Sequence, residues 1–146
     1  MNQSQIAEKY GVTRAYISWI LKQHAKVSPR RESLRLYWPW PEAKTAHRQS
    51  KLGRALKDHI VWMDLQDPDE LSAEAGMLLP WLYGELDLGQ VVEFDPTIPT
   101  RGKSPAGWIF RDRQVTDRDL IIRVNRYTQL TDEMEKVWRM PETRPY

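Results

Sequence analysis

Apolar residues recur at intervals of three and four along residues 3–22, 43–66 and 72–86, and the interval shortens to two beyond residue 90. Ile6, Ala7 and Tyr10 fall on one face of a first helix, and Val12, Ile17 and Ile20 on one face of a second. Gly11 lies between them, where a left-handed residue ends one helix and aims the next. Ala7 is small enough for the two helices to cross closely, and Thr13 stands where an N-cap hydroxyl meets the orphan amides of the second helix. Residues 3–22 are therefore expected to form a helix, a tight turn and a helix.

Further along, Ser28-Pro29 is expected to close any preceding helix. Arg30-Arg31 then form a compact basic pair, either a DNA-following arm or a charged linker. Leu34, Leu36, Tyr37, Trp38 and Trp40, with Pro39 and Pro41, predict an extended rib laid over the helices. Residues 43–66 read as one helix with Leu52, Ala55, Leu56, His59, Ile60 and Met63 on its apolar stripe, and Gly53 marks a close crossing. After a turn at 67–70, Ser72 is placed to cap a helix reaching about residue 86, which Pro80 is expected to kink or divide.

Alternating, β-branched and aromatic segments at 91–94, 108–111 and 120–124 predict three short strands in a small antiparallel sheet. Thr131, followed by Asp132 and Glu133, opens a short C-terminal helix carrying Met134, Val137 and Trp138. The fold class is α+β. Its expected divisions are 1–28 for the helical pair, 29–66 for the basic arm, Trp/Pro segment and long helix, and 67–146 for an acidic helical segment with the sheet.

Charge changes the picture more than composition does. The net charge of +2 conceals twelve Lys and Arg against three acids in residues 1–57, and ten against seventeen in 58–146. Residues 58–100 contain no Lys or Arg, so the basic N-terminal part carries the electrostatic footprint for nucleic acid and the acidic part would be repelled by a duplex. With no cysteine, disulfides and thiolate zinc sites are excluded. No apolar run approaches the roughly 18 residues of a membrane span, and the N-terminus is polar, so a soluble cytoplasmic protein without membrane contact is expected.

The stretch 3–22 resembles a helix-turn-helix DNA-binding motif, on Ala7, Gly11 and the spaced apolar set Ile6, Tyr10, Val12, Ile17 and Ile20. The resemblance implies a positioning helix over 3–10 and a recognition helix over 13–22 that enters the major groove. Thr13, Arg14, Ala15, Ser18 and Trp19 would then face bases, with Arg14 suited to guanine and Ala15 to a thymine methyl. Trp19 either stacks there or packs under a neighbouring element. Gln3, Lys9, Lys22, Arg30, Arg31, Arg48 and Lys51 are candidate phosphate contacts, Arg48 and Lys51 on a second basic face. Such a motif ordinarily has a preceding helix, so segments near 34–40 or 52–63 are expected to fold back and complete its core.

The phrases VVEFDPTIP, DLIIRVNRYTQLTDE and VWRMP, taken with the opening motif, resemble an immunity-repressor-like family of small regulators in actinobacteria, their phages and mobile elements. The resemblance covers most of 1–141 and departs from the family at Pro80, where an uninterrupted charged helix belongs. It implies an N-terminal helix-turn-helix joined to a short α+β domain, acting as a transcriptional regulator on double-stranded DNA.

From composition and spacing alone the expectation reaches DNA binding; with the resemblances it becomes sequence-specific duplex binding, by a homodimer paired through its C-terminal part or by a monomer touching DNA twice. Two other classes share these features: a protein-interaction module whose acidic half binds a polymerase or host factor, and an architectural accessory for site-specific recombination. A Gly-rich phosphate loop, a Ser/His/Asp spacing and a clustered carboxylate pair are all missing from the sequence, so neither an enzyme nor a cofactor is expected. His24, His47 and His59 are too scattered for a metal, and His59 reads as a hydrogen-bonded core residue.

Overall fold

A computed structural model of the chain describes residues 9, 11, 13, 15, 28–102 and 105–146. Most of the expected helical pair lies outside the described residues. Within it, Lys9 and Ala15 are helical, and Gly11 between them turns with φ +64°, the left-handed conformation foreseen for it.

The first helix beyond it, α1 (Pro29–Tyr37), corrects the expectation of an arm and an extended rib. Ser28 opens this helix: its Oγ accepts from the Arg31 amide at 3.1 Å, and Pro29 occupies the first helical position. Proline has no amide to lose there and its φ is already helical, so a dipeptide able to stop a helix here starts one. Trp38 is extended, with Pro39 holding it out of the helical region, and Trp38 to Trp40 belong to no helix or strand.

The single helix expected over 43–66 is two. α2 (Thr45–Gln49) and α3 (Lys51–Leu65) break at Ser50, which is extended at φ −63° and ψ 163°. Its Oγ donates to the His47 carbonyl at 2.7 Å and accepts from the Gly53 amide at 3.2 Å, capping α3. Gly53 does mark a close crossing. A Cβ there would lie 2.2 Å from the His47 carbonyl oxygen, so only glycine lets α2 fold back onto the start of α3.

After a 3-10 turn at Pro68–Glu70, α4 (Ala75–Asp87) runs through Pro80 undivided, with Glu74 rather than Ser72 at its N-cap. The carbonyl that Pro80 deprives of an amide belongs to exposed Gly76, so no buried acceptor is orphaned.

Strands β1 (Gln90–Phe94) and β2 (Trp108–Asp112) pair antiparallel with Val92 opposite Phe110. Among the described residues the sheet has these two strands and not three. Residues 120–124 lie along the other edge of β1 and make one parallel bridge, Val92 with Ile122. Their backbone is shared between two neighbours: the Val92 amide donates to Ile121, while the Ile121 amide donates to Trp138, both at 2.9 Å. A segment divided in this way builds no ladder on either side. The short α5 (Asp132–Glu135) starts at Thr131 as expected, with the Thr131 hydroxyl accepting from the Met134 amide.

One apolar core joins these pieces. Trp40, Trp108 and Trp138 are fully buried, with the Trp40 ring edge-on to the other two at 4.9 and 5.1 Å. Leu52, Leu56 and Ile60 of α3 meet Leu78, Leu82 and Tyr83 of α4 beside them. The Trp138 indole N–H donates to the Tyr37 carbonyl at 3.0 Å, tying the C-terminal strip to the end of α1.

Candidate nucleic-acid interface

Successive residues of α1 advance about 100° around its axis, which separates its polar side chains onto two faces. Arg30 and Ser33 turn inward. Arg30 Nη1 donates to the fully buried Asp58 at 2.7 Å, and Ser33 Oγ donates to Asp64 at 2.6 Å, both on α3. Ser72 completes the Asp58 carboxylate with its amide at 2.9 Å and its hydroxyl at 2.6 Å. Arg31 and Arg35, four residues apart, lie on the other face and turn outward, and Trp38, the C-cap just past the helix, is half-buried beside them.

That outward face, with Arg48 from α2, forms an open groove of about 480 Å³ lined by Arg31, Leu34, Arg35, Trp38, Pro41 and Arg48. Arg35 pairs with Glu32 on its own helix. Arg48 is held differently, with its guanidinium carbon 4.9 Å above the Trp38 ring. Lys57 adds to the positive potential. Burial and then the guanidiniums of Arg48 and Arg30 hold its ammonium below the ordinary lysine pKa. The like charges of Lys57, Arg48 and Arg30 repel one another, a repulsion that a nearby anion would offset. Oxyanions such as phosphate suit this combination of planar guanidinium donors on an apolar floor.

No family model matches the sequence. Comparison with curated proteins finds the repressor-like immunity protein of Mycobacterium phage L5, 37% identical over 143 residues, covering 97% of this chain and 78% of the relative. The chain belongs to the immunity-repressor-like family of actinobacteriophages.

For this family member the expected contact residues fall into three groups. Gln3, Arg14, Ser18, Trp19 and Lys22 lie outside the described residues. Lys9, Thr13 and Ala15 are described and exposed. Of the outlying cations, Arg31 and Arg48 meet in the groove, whereas Arg30 is committed to Asp58 and Lys51 places its ammonium 4.2 Å from the centre of the Trp81 ring. Arg35 was not anticipated from the sequence. Its signal was present as the four-residue spacing from Arg31, which becomes one helical face once Ser28-Pro29 is read as a helix start. Among the described residues no cluster of His, Asp and Glu fits a metal ion, and no helix is long and apolar enough to cross a membrane.

Proposed function

We propose that this chain is a phage repressor that binds double-stranded DNA sequence-specifically, reading the major groove with the helix over 13–22. The observation that carries the reading is the similarity along nearly its whole length to a repressor-like immunity protein. The residue pattern of 3–22 and the +9 charge of residues 1–57 support it from the sequence. In this scheme Thr13, Arg14, Ala15, Ser18 and Trp19 face base edges, and Gln3, Lys9 and Lys22 hold the adjoining backbone. Arg31 and Arg48 anchor phosphates from the groove between α1 and α2, and Lys51 contributes from the start of α3. The groove favours a monomer that touches DNA at two places over a symmetric pair, because it supplies the second anchorage within one chain.

A binding site selected from random duplexes, compared with a scrambled version, tests the reading. Arg14→Ala is expected to cost about 1–3 kcal/mol on the selected site and little on the scrambled one. An equal loss on both removes the readout role of Arg14, and failure of the wild-type chain to prefer any duplex at low salt removes the function. Sedimentation of the free chain and the symmetry of its footprint separate the monomer from the dimer.

A further inference from the structure

Resting on the reading of the groove as a phosphate anchor, we propose that Trp38 is a positioning residue, its indole fixing the Arg48 guanidinium to receive a backbone phosphate of duplex DNA. The ring is itself immobilised from three directions. Its Nε1 donates to the Trp40 carbonyl at 2.8 Å, and it meets Trp40 and Trp108 edge-on at 5.1 and 6.1 Å. Trp108 in turn donates from its Nε1 to the carbonyl of His47, the residue before Arg48, at 3.0 Å. The backbone beneath Arg48 and the ring beneath its guanidinium are thus set by the same group of indoles.

What holds Arg48 matters for what it can do. Among the described residues it has no carboxylate in an ion pair, and its interaction is with the face of a ring. A guanidinium over a ring keeps its N–H donors at its edge, where they can take a phosphate in two parallel bonds, whereas a carboxylate partner would occupy them. The contact also removes rotamer freedom before DNA arrives, so less is lost on binding. A lysine at this position would keep the charge but neither the planar contact nor the fork.

The test is a salt series of binding measurements with the full chain and the selected duplex. Arg48→Gln is expected to weaken binding about tenfold and lower the salt slope by about one. Trp38→Leu is expected to reproduce both changes, to add nothing in an Arg48→Gln background, and to be largely rescued by Trp38→Phe, which keeps a ring face. A Trp38→Leu loss that persists undiminished in the double variant, or leaves the slope unchanged, overturns the proposal. Should Trp38→Leu lower the melting temperature too far for assay, Arg48→Lys decides: loss of affinity with unchanged melting supports it, and wild-type affinity overturns it. Wild-type binding by Arg48→Gln would remove the anchor and this inference together, leaving the Arg14→Ala comparison to decide the repressor reading by itself.

Discussion

Arg30 and Asp58 meet at 2.7 Å, one in the first turn of α1 and the other fully buried on α3, with Ser72 satisfying the rest of the carboxylate. Breaking such a pair from one side leaves a charge without its partner in a partly dry site. Asp58→Ala is therefore expected to destabilise the fold by about 3 kcal/mol, read from urea denaturation. A loss below about 1 kcal/mol would mean that solvent reaches Arg30 and replaces the carboxylate.

Two adjacent arginines, alike in sequence, separate by function on this account. Arg31→Ala is expected to leave stability within about 0.5 kcal/mol and to weaken duplex binding on every sequence alike, lowering the salt slope by about one. Arg30→Ala should do the reverse, lowering the melting temperature while the folded fraction binds with an unchanged slope. Paired melting and binding curves check both.

His59 supplies a pH dependence. Its Nε2 donates to the Val137 carbonyl at 2.7 Å, which leaves Nδ1 to accept from the Tyr83 hydroxyl at 2.8 Å, so the native state wants a neutral ring. Burial lowers its pKa to about 4 against an ordinary 6.5. Between these values the unfolded chain binds a proton that the folded chain refuses, so stability is complete above pH 6.5 and falls as pH drops towards 4. The loss is of the order of 3 kcal/mol. Asp87, Asp95 and Asp117 are held below the usual 3.8, the first by Arg144, the second by the Thr97 amide and hydroxyl, and the third by Arg123. Their contributions are lost only as pH falls below 3.8, outside the histidine window. Melting temperatures across pH 6.5 to 4 should decline in wild type and flatten in His59→Gln.

Gly53 and Gly84 predict opposite outcomes for one chemical change. Alanine is the better helix former at both by up to about 1 kcal/mol. At Gly53 the new methyl would lie 2.2 Å from the His47 carbonyl oxygen, while at Gly84 nothing lies within 4 Å. Gly53→Ala should therefore destabilise by about 1–3 kcal/mol, and Gly84→Ala should stabilise by about 0.5–1 kcal/mol. Equal effects in thermal melting would contradict the close crossing of α2 on α3.

The helical and strand periods gave away most elements because one face of each is buried: the α3 stripe through Ile60, both strands of the sheet, the Thr131 cap and the core role of His59 were all readable. The misreadings came where one residue type serves two purposes. Ser28-Pro29 stops a helix as readily as it starts one. Ser50 interrupts an unbroken apolar stripe by capping α3, a choice made by its contacts with His47 and Gly53 rather than by periodicity. Leu120 to Val124 have strand composition, but their amides are divided between β1 and Trp138, which no local pattern records. For the interface, charge located the basic half and named Arg31 and Arg48. It could not bring them together, because their meeting depends on the unread start of α1 and on an indole taken for a cover.

The bond from the Trp138 indole to the Tyr37 carbonyl spans 101 residues. During synthesis the Tyr37 carbonyl and the Trp40 ring therefore wait for Trp138 long after α1, α3 and α4 can meet one another. Contacts so distant along a chain slow folding and lengthen exposure to proteases and to sticky neighbours. The supply of folded chain in a cell would then depend on how fast Trp138 arrives as well as on how often the message is read.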